Sequence, residues 1–375
     1  MQAYEFRYGP KLIAGPGAAR RLAGMLPPGR CLFVTDENVR ALGLADSVLE
    51  SLPDAVVFDA VEQDPSRETL MAAVAAGEGC VSVVGFGGGS PMDVAKLAAY
   101  LIATREDLDT LWGVGKALGV KLPLALVPTT AGTGSEATAV TVITVGGSEK
   151  RGVNSPSLFA DWAVLDAELT LTLPRSVTAA TGIDAMVHAI EAYTSARLKN
   201  PMSDMFARKA LRLISDNLIK VCDSPGDIEA RGKMLLAAHL AGVAFANAPV
   251  AGVHALAYPL GGHFHVPHGL SNALMLTHVL SHNMEAARPL YAELGAMLDS
   301  SVKDIGQQGQ AQAFVQHLAR LSRAAGVPQR LSEVGVRAEH LDLLAAEAMK
   351  QERLLVNNPC PINEADARRL YEAAL

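Results

Sequence analysis

The chain has 375 residues and a formal net charge of −7 at pH 7; half of its residues are hydrophobic and 5% are aromatic. This length is too great for one small core and suits two domains. No run rich in Lys and Arg occurs, so a nucleic-acid partner is not expected. The N-terminus does not have the pattern of a signal peptide, and no apolar run reaches the roughly 18 residues of a membrane span. We therefore expect a cytoplasmic protein with no membrane partner.

The first half of the chain alternates short β-rich runs with helical patterns, and the order predicts a parallel sheet covered by helices on both faces. Residues 139–146 are predicted as a further strand, in a hairpin with the residues that follow. The other predicted strands are 30–35, 55–60, 80–85 and 123–128, and the predicted helices are about 16–26, 66–78 and 91–104.

After about residue 175 the strand signal ends, and amphipathic helical patterns follow one another. The predicted fold class is therefore α/β plus all-α. A parallel-sheet, dinucleotide-binding domain is predicted over 1–175 and a helical, metal-binding domain over 176–375. The helical patterns cover roughly 174–195, 201–222, 227–247, 269–282, 286–299, 310–325 and 337–350.

Two loops rich in glycine follow predicted strands. The first, Gly85-Phe-Gly-Gly-Gly-Ser-Pro-Met-Asp-Val-Ala-Lys96, opens a predicted helix, and its Ser90 and Asp93 resemble a capping box. Glycines let backbone N–H groups approach a pyrophosphate, and the helix N-terminus favours its charge. A tight, capped turn without a ligand is the alternative, because this is not the usual Gly-x-Gly-x-x-Gly pattern.

The second loop, Pro128-Thr-Thr-Ala-Gly-Thr-Gly-Ser-Glu136, carries hydroxyls and glycines that suit a phosphate or a nicotinamide amide. Two such loops at the carboxyl ends of parallel strands meet at one edge of the sheet, where ligands bind. Asp36 ends the first predicted strand, where a carboxylate can hold a ribose diol and repel a 2′-phosphate, which favours NAD over NADP. An ordinary helix-capping Asp is the alternative.

Four residues of the second half have the chemistry of metal ligands. Asp184 and His188 are four apart on a helical pattern and so share one face. His254 and His268 stand in a segment with glycines and prolines that we expect to be too irregular for a simple packed helix. One carboxylate and three imidazoles suit Fe(II) or Zn(II). Taken singly, each residue also fits an ordinary ion pair or a core histidine.

The chain resembles the iron-containing, or group III, alcohol dehydrogenases over nearly its whole length. The resemblance lies in the two loops above, in Gly182-Ile-Asp-Ala-Met-Val-His188, in His254 through Gly269 and in the tail from Asn357 to Asp366. It implies a dinucleotide-binding domain and a helical domain with the site in the cleft between them, in a dehydroquinate-synthase-like fold. It also implies that Asp184, His188, His254 and His268 bind the metal, and that the protein is a homodimer.

The resemblance further implies which residues contact NAD. Gly88, Gly89 and Ser90 would hold the pyrophosphate, and Thr129, Thr130 and Thr133 would line the nicotinamide side. Lys150 would lie near the ribose, and Asp36 stands where an acid accompanies NAD. Gly87 and Asp93 complete the predicted cofactor set, as members of the first loop.

Tyr258 is a departure from the family pattern, because many members carry a histidine assigned to proton relay at this position. A tyrosine hydroxyl both donates and accepts, but its unperturbed pKa is about 10 rather than the ~6.5 of histidine. Tyr258 is therefore predicted, with His254 and His268 beside it at the catalytic centre, to relay protons less readily at neutral pH, or to leave the relay to the ribose hydroxyl and water. Packing alone is the other alternative.

The predicted function is that of a metal-dependent, NAD(H)-linked alcohol dehydrogenase or aldehyde reductase acting on a small neutral molecule. Reduction of maleylacetate and hydride transfer between hydroxyacids and oxoacids are alternatives, although an anionic substrate should need cationic residues that we cannot assign. A dehydroquinate-synthase-like lyase would regenerate its NAD and consume none. A nucleotide-sensing or assembly protein is the non-enzymatic alternative, against which an intact set of metal donors argues.

Overall fold

A computed structural model describes residues 3–146 and 149–375. These residues form two compact units. One is Tyr8–Thr172, and the other is Leu173–Leu375 together with residues 3–7. The first unit contains all the strands of the described chain and the second is helical, which confirms the predicted fold class.

The first unit is built on a six-stranded parallel sheet. Nine strands occur in the described residues: β1 Lys11–Ala14, β2 Cys31–Val34, β3 Ala55–Phe58, β4 Ser82–Gly87, β5 Gly113–Val114, β6 Leu124–Pro128, β7 Val140–Val145, β8 Glu149–Asn154 and β9 Trp162–Leu165. The large sheet has the order β1-β9-β6-β4-β2-β3, and β5, β8 and β7 form a small sheet. The predicted hairpin is confirmed, because β7 pairs antiparallel with β8.

Helices cover both faces of the large sheet, as predicted. They are α1 Glu37–Ala41, α2 Asp46–Leu49, α3 Arg67–Ala76 and α4 Gly89–Thr104. Successive strand residues point to opposite faces, so Leu32 and Val34 join one hydrophobic cluster with α3 and α4 while Phe33 joins another with α1 and α2. The segment predicted as helix 16–26 instead forms a 3₁₀ helix over Ala18–Gly24.

The second unit consists of helices that pack around buried Ala and Leu side chains. They are α5 Arg175–Thr194, α6 Pro201–Asp223, α7 Ile228–Asn247, α8 Gly252–Phe264, α9 His268–His282, α10 Met284–Leu298, α11 Gly306–Ala325, α12 Leu341–Met349, α13 Glu352–Leu355 and α14 Glu364–Ala374. All seven helices predicted here are present, with ends shifted by a few residues.

The prediction of irregular structure after residue 250 is wrong, because α8 is a helix with Pro259 inside it. Val253, Ala257 and Leu260 recur at helical spacing and are buried, and this packing outweighs the low helix propensity of Gly and Pro. Among the described residues, no single helix is long and apolar enough to cross a membrane. In the described part of the chain, the pair α7 and α8 meets the length and composition test when taken together, but the chain bends by 107° between these two helices.

Candidate metal and dinucleotide sites

Three helices of the second unit supply the four predicted metal donors. Asp184 and His188 lie one turn apart on α5, His254 lies in the first turn of α8, and His268 is the first residue of α9. One ligand atom from each of the four lies within 4.8 Å of all the others. Residues separated by more than eighty positions are therefore brought to one point.

The donors surround the carboxylate of Asp184. Its Oδ1 lies 3.9 Å from Nε2 of His188, 3.9 Å from Nε2 of His254 and 3.6 Å from Nε2 of His268. The ring of His188 stacks between Phe245, with centroids 4.4 Å apart, and His254, with centroids 4.8 Å apart. The imidazole planes are thus fixed by ring packing as well as by the helices that carry them.

Three of the four donors are buried and one is partly exposed. Asp184, His188 and His254 are at most 5% exposed, whereas the His268 side chain is 38% exposed. Burial alone would raise the pKa of the Asp184 carboxyl, but the imidazoles of His188, His268 and His254 and the amide of Asn272 outweigh it and hold that pKa below its ordinary value. The surroundings therefore favour the carboxylate, the form that binds a cation.

Asn272 contacts three of the four donors. Its amide Nδ2 lies 2.7 Å from Asp184 Oδ1, 3.2 Å from His254 Nε2 and 3.3 Å from His268 Nε2. An amide nitrogen has two hydrogens and only donates, so it can serve two of these atoms at once, and the contact with Asp184 is the shortest. A carboxylate and imidazoles arranged in this way are a donor set for Fe(II) or Zn(II).

Glu191 is a part of the site that sequence reasoning missed. It is 4% exposed, and its Oε2 lies 2.6 Å from Nδ1 of His254, on the ring edge opposite the metal donor atom. It follows His188 by three residues on α5, so the spacing Asp184, His188, Glu191 on one helix face could have revealed it. Asn272, four residues after His268, could have been found in the same way.

Tyr258 lies on α8, four residues after His254. Its ring centroid is 5.9 Å from that of His268, so this side chain is next to the most exposed donor. His263 and His265, which the sequence places in the same segment, are both exposed, and His265 ends α8 with a φ of 54°.

The predicted cofactor loops meet at one edge of the large sheet. β2, β4 and β6 are neighbours and parallel, and Gly87 at the end of β4 is paired in register with Pro128 at the end of β6. The N–H of Thr129 donates to the carbonyl of Gly87 over 2.9 Å. The two loops thus leave the sheet side by side, at the edge where dinucleotides bind in such folds.

The glycines of the first loop face the threonines of the second. A Cβ at Gly89 would lie 3.0 Å from the Thr133 side chain, and one at Gly88 would lie 3.8 Å from Thr130 Oγ1. Gly87 has a φ of 149°, which a residue with a side chain rarely adopts. Gly88 is the N-cap of α4 and no side chain caps this helix, so the capping box predicted for Ser90 and Asp93 is absent.

Asp36 is both a helix cap and a neighbour of the first loop. Its Oδ1 accepts from the N–H of Val39 over 2.9 Å, which caps α1. Its Oδ2 would lie 3.2 Å from a Cβ on Gly87. The capping role does not compete with the predicted ribose contact, because the second carboxylate oxygen faces the loop.

Asp93, in the first glycine-rich loop, forms hydrogen bonds with the second loop and with β7. Its Oδ1 accepts from Ser135 Oγ over 2.6 Å and its Oδ2 from the N–H of Val142 over 2.9 Å. Lys96, which is fully buried, donates from Nζ to Ser135 Oγ, Thr138 Oγ1 and the carbonyl of Val140 at 2.7 to 3.2 Å. Burial lowers the Lys96 pKa, against the opposing pull of Asp93.

Ser90 and Lys150 both contact Asp64, a residue that sequence reasoning did not single out. The N–H of Asp64 donates to Ser90 Oγ over 3.3 Å, and Lys150 forms an ion pair with its carboxylate. Asp64 has a φ of 57°, an uncommon value for a residue with a side chain. Strained backbone of this kind is concentrated at functional sites.

Comparison with known proteins identifies the family. The iron-containing alcohol dehydrogenase model matches residues 9–167, and the model of the family's C-terminal part matches residues 178–375. Long-chain-alcohol dehydrogenase 1 of Geobacillus thermodenitrificans is 40% identical over 92% of this chain and 89% of its own. NAD-dependent methanol dehydrogenase of Bacillus methanolicus is 31% identical over 98% of each chain. The crystal structure of a 1,3-propanediol oxidoreductase superposes with a TM-score of 0.96 at 32% identity, over 100% of both chains.

The parallel-sheet unit with its paired loops and the helical unit with its donor set define a metal-dependent, dinucleotide-linked oxidoreductase. The chain belongs to the iron-containing alcohol dehydrogenase family. It is therefore an oxidoreductase that acts on alcohol groups, with iron and NAD as its cofactors, which confirms the enzyme class and cofactors predicted from the sequence.

Proposed function

We propose that this protein interconverts a small, neutral primary alcohol and its aldehyde, with hydride passing between the substrate carbon and NAD(H). The convergence of Asp184 with three imidazoles within 4.8 Å carries the proposal, because the family acts on alcohol groups. Iron bound by these four residues supplies Lewis acidity, which lowers the pKa of an alcohol and polarises the carbonyl of an aldehyde.

The second unit's residues orient the substrate and handle its proton. The 38% exposed side chain of His268 is the open side of the donor set, and we assign substrate entry to that side. Tyr258 lies beside it, with ring centroids 5.9 Å apart, and its hydroxyl both donates and accepts. We assign to Tyr258 the transfer of the alcohol proton towards solvent.

The first unit binds NAD through the paired loops at the ends of β4 and β6. Backbone N–H groups at Gly88, Gly89 and Ser90, at the start of α4, receive the pyrophosphate, and Thr129, Thr130 and Thr133 line the nicotinamide side. Asp36 prefers a ribose diol to a 2′-phosphate. Lys150, which is paired with Asp64, would lie near the cofactor ribose.

A neutral substrate is supported by the surroundings of the donors and by the relatives. Phe245, Tyr258 and Asn272 contact the imidazoles and carry no charge, and the carboxylate of Glu191 is occupied by hydrogen bonds. The relatives are named for a long-chain alcohol, for methanol and for 1,3-propanediol, none of which is an anion. The homodimer and the cytoplasmic location stay predictions, which light scattering and cell fractionation test.

The test is metal analysis followed by a substrate panel. The protein is stripped with a chelator, reloaded with Fe(II) or Zn(II), and assayed by loss of NADH absorbance with linear aldehydes and oxoacids of matched length. We expect activity to return with Fe(II). The rate with NADH should exceed the rate with NADPH, and the rate with neutral aldehydes should exceed the rate with oxoacids.

Two results would contradict the proposal. Product formation without net NADH consumption would indicate the lyase, and a preference for oxoacids would indicate hydride transfer between hydroxyacids and oxoacids. Asp184→Asn should abolish the activity. His282→Ala is the matched control, because this imidazole lies at the far end of α9 and contacts the carbonyl of Pro361 instead.

A further inference from the structure

Glu191 is a buried carboxylate outside the metal donor set. It is 4% exposed, and both of its oxygens are used. Oε1 accepts from the N–H of Val253 over 2.6 Å, and Oε2 accepts from the N–H of Ala251 over 2.9 Å and lies 2.6 Å from His254 Nδ1. A buried charge is costly unless hydrogen bonds compensate it, and here the first turn of α8 provides that compensation.

These contacts determine which nitrogen of His254 carries the proton. Both oxygens of Glu191 already accept backbone N–H bonds, so we interpret the short contact at Nδ1 as an Nδ1–H that donates to Oε2. A neutral imidazole then has its lone pair on Nε2. The opposite edge of the ring agrees, because the donating amide of Asn272 lies 3.2 Å from Nε2.

We propose that Glu191 is a positioning residue of the metal centre. Anchored by the backbone of α8, it holds His254 as the Nδ1–H tautomer and aims Nε2 at the point that Asp184 and the other two imidazoles face. A carboxylate behind a metal-binding histidine fixes the orientation of the ring and raises its basicity as a ligand. The inference rests on the proposed function, since it needs a metal at these donors.

The same carboxylate also couples the position of α8 to that of α5. The N–H groups of Ala251 and Val253 belong to the start of α8, while Glu191 stands on α5 with Asp184 and His188. One side chain on α5 therefore contacts both the start of α8 and the His254 ring. This contact connects His254 to the helix that carries Asp184 and His188. His268, the fourth donor, is not among these contacts of Glu191.

Glu191→Gln is the sharpest substitution, because it keeps the size of the side chain and removes one acceptor. The amide NH₂ cannot accept a hydrogen bond, so its hydrogens face other donors in either of two arrangements. In the first arrangement the NH₂ faces the N–H of Val253. In the second it faces both Ala251 N–H and His254 Nδ1–H. In the second arrangement the ring is driven to the other tautomer and loses its lone pair at Nε2. Tyr371→Phe is the matched control, because it removes a buried 2.7 Å bond to the carbonyl of Leu256 on the same helix and leaves His254 untouched.

The experiment measures metal affinity, not activity. Stripped full-length protein is titrated with Co(II) against a chromophoric chelator, and the Co(II) absorption spectrum is recorded. The tautomer of His254 is read in stripped protein from ¹⁵N–¹H correlations of the imidazoles. We expect Glu191→Gln to weaken Co(II) binding by about 10- to 100-fold in either arrangement, because no charged acceptor remains behind the ring, while Tyr371→Phe stays within about twofold of wild type. A shifted His254 tautomer would mark the second arrangement. Should Glu191→Gln not fold, Glu191→Asp, which draws the carboxylate back by one methylene, is measured in its place. The same loss of Co(II) affinity is expected, without a change of tautomer, because the carboxylate still only accepts.

The outcomes separate the inference from the proposed function. Unchanged Co(II) affinity and tautomer in the Glu191 variant, with affinity lost in Asp184→Asn, overturn the role of Glu191 alone. A loss in Tyr371→Phe as large as that in the Glu191 variant also overturns it, because the effect would then be general destabilisation of α8. Co(II) binding that is equal in wild type and Asp184→Asn overturns the donor set, and with it the proposed function.

Discussion

Gly269 lies so close to the carbonyl oxygen of Ala180 that a Cβ at this position would be 2.5 Å from that oxygen. Gly269 directly follows the donor His268, and Ala180 lies one turn before the donor Asp184 on α5. The missing side chain therefore sets the separation of α9 and α5 at the point where both carry a metal donor.

The first prediction concerns this contact. In Gly269→Ala the two helices must separate, since a backbone oxygen cannot move aside as a side chain can. Overpacking of this kind costs about 1–3 kcal/mol in the free energy of unfolding, and metal affinity should fall with it. Urea unfolding and metal analysis after dialysis measure both quantities.

Gly262→Ala is the control for that prediction, because Gly262 lies inside α8 with nothing within 4 Å of its would-be Cβ. A helical Gly→Ala change without a clash should be neutral or stabilising, by up to about 1 kcal/mol. Equal metal retention in the two variants would show that the close approach of α9 to α5 does not affect metal affinity.

The second prediction tests the imidazole donors. His254→Ala and His268→Ala should each lose bound metal on dialysis, because three protein donors hold a divalent ion less well than four. His268→Ala should leave the fold more stable than His254→Ala does, since the His268 side chain is 38% exposed and that of His254 is 2% exposed. Full metal retention in either variant would remove that residue from the donor set.

The third prediction concerns the choice of dinucleotide. Asp36→Asn keeps the cap on α1, since an amide oxygen still accepts from Val39, but removes the negative charge that would repel a 2′-phosphate. The ratio of kcat/KM for NADPH to that for NADH should rise at least tenfold. Asp107→Ala removes a cap from the 3₁₀ helix Leu108–Thr110 and should leave the ratio unchanged. An unaltered ratio in Asp36→Asn would assign Asp36 to capping alone.

The fourth prediction separates proton transfer from packing at Tyr258. Tyr258→Phe keeps the ring and removes the hydroxyl, so turnover at neutral pH should fall by about 100-fold, within the range of general acid–base catalysis. Tyr258→His should restore much of the rate, since imidazole has a pKa of about 6.5. Metal content and NADH affinity are measured in parallel and should not change; a Phe variant with normal turnover would mean that Tyr258 only packs.

The fifth prediction concerns the buried Lys96. In Lys96→Met, the oxygens of Ser135, Thr138 and Val140 lose their donor, which should cost about 3 kcal/mol of unfolding free energy and weaken NADH binding. Lys233→Met breaks only an exposed ion pair with Glu229 and should leave the free energy of unfolding close to that of wild type. Normal NADH affinity in a destabilised Lys96 variant would limit this residue to folding.

The sequence predicts the fold class well because the two halves have different hydrophobic periods. It does not reveal β1, which has two exposed ends and lies at the edge of the sheet, and it also misses β9. It also misjudges α8, because glycine and proline suggest irregular structure, while the helix is stabilised by tertiary burial of Val253, Ala257 and Leu260.

Local spacing predicts a shared helix face for Asp184 and His188. Spacing along the sequence cannot predict that His254 and His268 lie beside them. That convergence depends on how α5, α8 and α9 pack, which no local pattern encodes. Family resemblance provided the grouping of the four donors. Glu191 and Asn272 were within reach, since each stands three or four residues from a donor on the same helix.

The uneven exposure of the donors bears on how the ion is exchanged. Three of them are enclosed among packed helices, and His268 alone, at a helix start, has substantial solvent contact. His268 is therefore the donor that we expect a chelator or a competing ion to meet first.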